Sequence, residues 1–352
     1  MTADVLDVAE RMDPEELRVA ARRLLADQVD RRAVLDAPGP ESHGALFGEM
    51  ANLGWLLLTA PAARGGLDQS FEALAPIYEE MGRALSPAAI ASTMAAVDML
   101  RAQDDGPGAE LLDRIIAGEA RVAIAFTRAA PSTLPQTISL VPGGTEATDL
   151  LLLPEAGQGQ AALFDLRGPG VRIEQVETWD RSRFFADIHL DTAALKPLQV
   201  AGEIGRAHCD LAIAWDCIGG AQQALDEAIA YMGTRKQFGR PIGSFQALKH
   251  RAADLKVGLE VARALTQRAT AAFAERSGAW ADLAGQAHLL AVDSYRAITE
   301  ESIQFHGGIG FTWEHDCHLF LKRALMNEVL LGTPEQVRDR VAPGILERAL
   351  KR

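Results

Sequence analysis

The chain has 352 residues, of which 48% are hydrophobic and 24% charged, an ordinary globular composition that excludes a disordered, collagen-like or disulfide-stapled protein. Its 48 acidic and 35 basic side chains give a formal net charge of −13, the wrong sign for gripping nucleic acid or an anionic membrane. Cys209, Cys217 and Cys317 cannot all pair and show no Cys-x-x-Cys spacing, which predicts a reducing, cytoplasmic location. No apolar run reaches membrane-spanning length, and the acidic N-terminal residues are atypical of a signal peptide.

Three stretches of different periodicity follow one another along the chain. The first, to about Gly118, is helical, as in residues 71–85, where Phe71, Leu74, Ile77 and Met81 share one stripe. Short β-rich runs separated by Gly, Pro and Asp follow, and they predict a small antiparallel unit. The helical period then returns in long patterns. The predicted fold class is α+β, mainly α, with a helical unit at 1–118, a β unit at 119–200 and a helical bundle at 201–352.

A break in the helical pattern at Arg235–Pro241, reading RKQFGRP, is the first candidate for chemistry. An arginine, a glutamine and a phenylalanine beside such a break can contact a pyrophosphate and stack on a heterocycle. The alternative is a helix–turn–helix corner with solvated charges.

A second break, reading QFHGGIGF, places Gly307, Gly308 and Gly310 between two helical patterns. Such glycines let backbone N–H groups approach a phosphate closely, although no strand precedes them and the spacing is not that of a dinucleotide fingerprint. A structural turn is the alternative explanation.

The run Glu314-His315-Asp316-Cys317-His318 has the residue types of a metal site. Adjacent helical positions point in different directions, and no distant cysteine or histidine set completes four ligands. We therefore predict a polar helix start here and no metal site.

Residues 54–87, 235–254 and 304–324, in that order and around a β-rich middle, resemble the acyl-CoA dehydrogenase family over nearly the whole chain. The resemblance implies a helical N-terminal domain, a β-barrel-like middle domain and a C-terminal four-helix bundle, with FAD and an acyl-CoA thioester bound between them. It also implies that the FAD contacts come from Arg235, Gln237, Phe238, Gln304, Gly307, Gly308, Thr333 and Thr127. Some of these often reach a neighbouring subunit's flavin, so an oligomer would complete the site.

The family reaction is α,β-dehydrogenation, in which a carboxylate takes the α-proton and a hydride leaves to the flavin. Most members carry that base as a Glu before a Gly-Thr near the C-terminus, where this chain has Leu331 before Gly332 and Thr333. Other members carry it on the first helix of the C-terminal domain, at the position of Cys209 here. Neither usual base is present.

The helix around Cys209 offers two acids, Asp210 and Asp216. Asp216 falls on a second, mostly apolar face, which predicts burial and with it either a raised pKa or a charge partner. Both are candidate bases, and Asp210 lies at the edge of the apolar stripe. The alternative for Asp216 is a structural hydrogen bond or ion pair inside the bundle.

The middle unit also departs from the family, since Thr127 is in register but Arg128 stands where a Glu is usual, and no Trp-Ile-Thr segment follows. Three hypotheses result. The first is a subunit of a hetero-oligomeric acyl-CoA dehydrogenase, similar to actinobacterial enzymes of bulky and steroid acyl-CoA, whose partner chain supplies the base. The others are a homo-oligomeric enzyme with an Asp base and a non-catalytic acyl-CoA or flavin binding module. An electron-transfer flavoprotein is a possible further partner on this resemblance.

Overall fold

The computed structural model describes residues 11–32, 40–86, 90–128, 130, 133–155, 160–191, 194–330 and 332–350. Within these ranges, the N-terminal helices are α1 (Pro14–Gln28), α2 (Pro40–Asn52), α3 (Ala75–Ala84), α4 (Ile90–Leu100) and α5 (Gly106–Ile116). The described strands that follow are β1 (Val122–Thr127), β2 (Gln136–Pro142), β3 (Asp149–Pro154), β4 (Ala161–Asp165), β5 (Val171–Val176), β6 (Phe185–Leu190) and β7 (Leu195–Leu198). The rest comprises α6 (Gly202–Thr234), the hairpin strands β8 (Lys236–Gln237) and β9 (Arg240–Pro241), α7 (Gln246–Glu275), α8 (Trp280–His306), α9 (Cys317–Asn327) and α10 (Pro334–Leu350).

The first helix shows how local sequence sets an element. Asp13 caps α1 by accepting a hydrogen bond from the Glu15 N–H, and Pro14 occupies the first helical position, where its missing N–H costs nothing. Leu17, Ala21 and Leu25 recur at a spacing of four and are all buried. The polar side of α1 is held in place as well, because Arg18 and Arg22 form ion pairs with acidic residues of α3.

The middle unit consists of two packed sheets with the strand orders β1-β3-β4-β7 and β2-β6-β5. Apolar side chains from both sheets, such as Leu150 and Ile188, share one core. The predicted antiparallel arrangement is wrong for one pair, because β1 runs parallel to β3, with Ile124 opposite Leu151. The reason is that β2 joins the other sheet, so the chain crosses over before it returns beside β1.

The C-terminal helices form a bundle around α6, the longest helix. It packs against α7, α8 and α9, and α10 packs against α8. The crossing of α6 with α3 is very close: a Cβ added to Gly82 would lie 2.0 Å from the Asp216 carbonyl oxygen, and one added to Gly219 would lie 1.8 Å from that of Glu79. Only glycine allows these two backbones to approach so closely.

The largest hydrophobic cluster contains residues of the N-terminal helices, of β1, β3, β4 and β7, and of the C-terminal bundle, so the three parts share one core. The predicted fold class, mainly helical with a small β region and a C-terminal helical bundle, is confirmed. The unit bounds 1–118, 119–200 and 201–352 stay a prediction. Among the described residues, no helix is both long and apolar enough to cross a membrane.

Candidate active site

A cavity of about 110 Å³ lies where α3, α4 and α6 meet the sheet of β1 and the loop before β6. Most of its wall is apolar. The lining residues include Tyr78, Met81, Ala91, Ser92, Ile124, Arg183, Phe184, Cys209, Ala212, Ile213, Asp216 and Leu330. The cavity therefore contains both the predicted base Asp216 and the position, Cys209, where some family members carry their base.

Asp216 is engaged on both carboxylate oxygens. Its Oδ1 lies 2.9 Å from the Arg183 guanidinium and 3.5 Å from that of Arg323, and its Oδ2 accepts a hydrogen bond of 2.7 Å from Asn327 Nδ2. Asp180 lies 3.8 Å from Arg323, so two arginines and two aspartates form a charge-balanced cluster. Such contacts are those expected if Asp216 has a structural role inside the bundle, the alternative to its being the base.

The pKa of Asp216 follows from these contacts. Burial by itself would raise this pKa, but Arg183 and Arg323 together with the Asn327 hydrogen bond hold it below its ordinary value. A carboxylate with a lowered pKa is a poor acceptor for a carbon-bound proton, since a general base works best with a pKa near the working pH. Asp216 is thus better suited to holding Arg183 in the cavity wall than to removing a proton.

Arg323 is a residue that the sequence analysis missed. It is 1% exposed and donates to the Ser86 carbonyl oxygen and the Ser182 hydroxyl, and so ties α9 to α3 and to the loop before β6. A signal was available in the sequence. Arg323 lies three residues after Phe320 and four before Asn327, on the stripe of α9 that is buried.

Cys209 lines the same cavity but cannot replace the missing glutamate. Burial raises the pKa of the Cys209 thiol to about 12, so the thiol stays protonated at neutral pH. Leu331, at the usual C-terminal base position, lies outside the described residues.

Asp210 lies elsewhere in the bundle and does not line the cavity. It is fully buried, with His288 Nδ1 at 2.9 Å and Arg340 at 2.8 Å from its carboxylate. Burial would raise the pKa of Asp210, but Arg340 and the hydrogen bond from His288 hold it below its ordinary value. Asp210 therefore links α6 to α8 and α10.

A buried polar chain that the sequence analysis did not foresee ends at the cavity. The Tyr78 hydroxyl lies 2.7 Å from His208 Nε2, and His208 Nδ1 lies 3.0 Å from Asp98. Burial raises the pKa of Tyr78 well above its ordinary value, so its hydroxyl remains neutral. These hydrogen bonds pair the buried polar groups of Tyr78, His208 and Asp98 with one another, and they hold α3, α4 and α6 together.

The predicted adenine-end residues form a second group, at the far end of α6. Arg235 ends that helix, about 28 Å along its axis from Asp216, and Gln237 and Phe238 lie in the β8–β9 hairpin. The Phe238 ring is 91% exposed and Arg235 is exposed too. No ion pair is recorded for Arg235 with any part of the chain that the structure describes, so its guanidinium is open to an anion.

The structure packs the last turn of α6, which leads into the hairpin, against the end of α8, which leads into the glycine turn. Tyr231, one turn before Arg235, stacks on His306 with ring centroids 4.4 Å apart, and Met232 shares a small hydrophobic cluster with Phe305. Gly307 has a φ of +66°, and a Cβ added to Gly307 or Gly308 would meet nothing within 4 Å. Together with the exposed Gln304, the turn offers an open surface beside Arg235.

Thr127 and Thr333, the remaining predicted FAD contacts, are not among the residues that line the cavity. Thr127 ends β1, three residues after the cavity residue Ile124, and its carbonyl accepts from the Glu155 N–H. Thr333 is exposed and exchanges hydrogen bonds with Gln336 at the start of α10, in a capping arrangement. The known contacts of Thr333 are those of a helix cap.

Comparison with known proteins settles the family. The acyl-CoA dehydrogenase N-terminal domain matches residues 12–119, and the acyl-CoA dehydrogenase C-terminal domain matches residues 207–346. The chain belongs to the acyl-CoA dehydrogenase family. Acyl-CoA dehydrogenase IpdE2 of Mycobacterium tuberculosis is 32% identical over 96% of this chain and 99% of its own length. Acyl-CoA dehydrogenase FadE34 of the same organism is 33% identical over 79% of this chain but only 39% of its own length.

A solved variant of the Tcur3481-Tcur3483 steroid ACAD has the same fold. It superimposes with a TM-score of 0.79 at 25% identity, covering 96% of this chain and 98% of the other.

The residues present could hold a flavin dinucleotide at its adenine end. Arg235 offers a fork of donors, Phe238 an exposed ring, and the turn at Gly307 an approachable backbone. At the other end, the described cavity wall offers apolar surface and the paired Arg183 and Asp216, with no free carboxylate.

Proposed function

We propose that this acyl-CoA dehydrogenase family chain is one subunit of a hetero-oligomeric, FAD-dependent enzyme that converts an acyl-CoA thioester to the 2-enoyl-CoA. In this proposal a second dehydrogenase-like chain supplies the catalytic base. When bound, the flavin supplies the hydride acceptor. The residues of this chain bind its adenine end and shape part of the acyl pocket.

The observation that carries the proposal is the state of Asp216. It is the sole carboxylate among the described residues that line the cavity, and both of its oxygens are engaged by Arg183, Arg323 and Asn327. If Asp216 accepted a proton from the substrate, it would lose its charge, and the two buried arginines would be left with one counter-charge instead of two.

The size of the cavity points in the same direction. At about 110 Å³ it is well below the roughly 300–1,000 Å³ of typical small-molecule sites. A bulky acyl group, of the steroid type that the Tcur3481-Tcur3483 enzyme is named for, would need most of its pocket from another chain. An electron-transfer flavoprotein is the electron acceptor that we propose on the family resemblance.

The test is co-expression with acyl-CoA dehydrogenase-like chains encoded near this one. We expect a stable mixed oligomer whose flavin absorption is bleached anaerobically by acyl-CoA, while this chain alone gives no bleaching. A homo-oligomer of this chain that bleaches and turns over fully by itself would overturn the proposal. Acyl-CoA binding without bleaching, alone and with every co-expressed chain, would instead identify a non-catalytic binding module.

Arg235→Ala in the mixed oligomer separates the flavin role from the assembly role. We expect the flavin content to fall while the oligomer persists. Arg268→Ala, an exposed arginine of α7, is the matched control and should retain its flavin.

A further inference from the structure

We propose that His306, His315 and Cys317 form a binding site for one zinc ion, separate from the cavity and independent of the proposed dehydrogenation. One ligand atom from each of the three residues lies within 4.8 Å of the other two. The sequence analysis predicted no metal site here because adjacent helical positions point in different directions and no distant cysteine or histidine set completed four ligands. The structure adds His306, which lies nine residues before His315 at the end of α8.

The spacing of the ligand atoms suits a metal after a small adjustment. Three atoms that all lie within 4.8 Å of one another share a point no more than about 2.8 Å from any of them. Zinc–nitrogen and zinc–sulfur bonds are ~2.0–2.3 Å long, so each atom has to move inward by no more than about 0.5–0.8 Å.

His306 is already oriented as a metal ligand. Its ring is 4% exposed, and Nδ1 lies 2.7 Å from the Ser302 carbonyl oxygen, which fixes the proton on Nδ1. The other nitrogen, Nε2, is buried and has no hydrogen-bond partner among the described residues. A histidine that donates one N–H to a backbone carbonyl and keeps the other nitrogen free is the usual arrangement around bound metals.

Cys317 and His315 complete the set from the other side. Cys317 is 1% exposed, and its thiol makes one weak contact, 3.4 Å from the Gly310 carbonyl oxygen. His315 Nδ1 accepts from the Cys317 N–H at 3.2 Å, a long bond whose lone pair a metal would take over. Burial raises the pKa of the Cys317 thiol to about 11, and a bound cation would displace its proton.

The donor types favour zinc. Two imidazoles and a thiolate suit Zn²⁺, whereas calcium and magnesium prefer oxygen ligands. His315 is only half-buried, so water can occupy the fourth, open position. The thiolate and the ion together would leave a single positive charge beside the turn.

The site is prepared by contacts that do not involve the metal. Arg32 donates to the carbonyl oxygens of Trp313 and Glu314 and pairs with Asp316 at 3.0 Å. The turn before α9 is therefore held in place by the N-terminal part of the chain. A bound ion would add a link between the end of α8 and the start of α9, and so fix the turn that contains Gly307 and Gly308.

Elemental analysis of the purified full chain, followed by Zn²⁺ and Co²⁺ titration after chelator treatment, tests the site. We expect one equivalent of metal and, with Co²⁺, the near-ultraviolet absorption of a thiolate–cobalt bond. His315→Gln and Cys317→Ser should each weaken Zn²⁺ binding at least tenfold, and Cys317→Ser should also remove the thiolate absorption. Cys209→Ser and His250→Gln are matched controls that should leave both readouts unchanged.

His315→Gln keeps the test decisive, because the half-buried ring can be replaced without opening the core as a change at Cys317 would. Circular dichroism and the melting temperature show whether each variant is folded. No binding of Zn²⁺ or Co²⁺ at micromolar concentration by the folded chain would overturn the proposal. Unchanged binding in folded His315→Gln would overturn it as well.

Discussion

The Asp216 carboxylate lies 2.9 Å from the Arg183 guanidinium, and both side chains face the same small cavity. The one described carboxylate in the cavity wall is therefore neutralised by the one described arginine in it. The sequence is compatible with two roles for Asp216, a catalytic base and a member of a buried ion-pair cluster. The pairing with Arg183 favours the second role.

Replacing Asp216 by Asn tests which role it has. The change leaves the two buried arginines, Arg183 and Arg323, with one counter-charge instead of two, and we expect a loss of about 3 kcal/mol in the free energy of unfolding, measured by urea denaturation. Asp226→Asn, an exposed position on the same helix, is the control and should cost less than about 0.5 kcal/mol. Turnover of the mixed oligomer, measured where the variant is still folded, should persist. A drop in turnover by several orders of magnitude with unchanged stability would show that Asp216 is the base.

The acid stability of the protein should depend on the same cluster. Because the folded-state pKa of Asp216 lies below its ordinary value, its contribution to stability is fully present above the unfolded pKa, about 3.9. That contribution is lost as the pH falls through the lower, folded pKa. Three other carboxyl groups also have pKa values below their ordinary values, those of Glu79, Asp98 and Asp210. In each case burial would raise the pKa, but arginine or histidine partners lower it by more.

We therefore expect the urea midpoint to be flat from pH 7 to about 5 and to fall steeply below pH 4. Asp216→Asn should flatten the acid side of this curve, since one of the titrating groups has been removed. A variant curve parallel to that of the original chain would contradict the assignment of Asp216 to the cluster.

The close crossing of α3 and α6 predicts a large effect from one methyl group. Gly219→Ala places a Cβ 1.8 Å from the Glu79 carbonyl oxygen, so the two helices must separate, and we expect a loss of about 3 kcal/mol or more. Gly233→Ala, on the same helix with open space in front of it, should instead stabilise by about 0.5–1 kcal/mol. Thermal melting of the two variants compares these outcomes directly, and equal melting temperatures would refute the close crossing.

The buried Tyr78–His208–Asp98 chain predicts a structural penalty. Tyr78→Phe leaves His208 Nε2 without its 2.7 Å partner in the core, at a cost of about 1–3 kcal/mol. Thr137→Val, which removes a hydroxyl at an exposed contact with His189, is a control expected to cost less. Urea denaturation of both variants measures the difference, and a neutral Tyr78→Phe would mean that the hydroxyl is dispensable.

The exposed hairpin predicts a loss specific to the flavin. Arg235→Ala removes a charged donor, and a charged hydrogen bond is worth about 1.5–3 kcal/mol, so FAD affinity in the mixed oligomer should fall at least tenfold. Released-flavin fluorescence gives the content, and the Arg268→Ala variant provides the baseline. Unchanged affinity in Arg235→Ala would move the adenine end away from the hairpin.

Much of this molecule was determined by the sequence alone. Helical and alternating periodicities gave the order of helix, β and helix, because burial of one face imposes a period on each element wherever it packs. The three motif segments indicated the family. Leu331 and Cys209 stand at the two positions where family members usually carry the glutamate base, so the sequence alone predicted that neither usual base is present. Periodicity also predicted that Asp216 is buried.

Other features were decided only by the tertiary structure, because they depend on pairs of residues far apart in the chain. The partners of Asp216 come from the loop before β6 and from α9, 33 and 107 residues away in the sequence, and no local pattern specifies which charges meet. The parallel pairing of β1 with β3 depends on β2 joining the other sheet. His306 lies near His315 and Cys317 only because of the course that the chain takes through the glycine turn between α8 and α9. Residue types set what each group can do, and the packing of the helices decides which groups are close enough to do it.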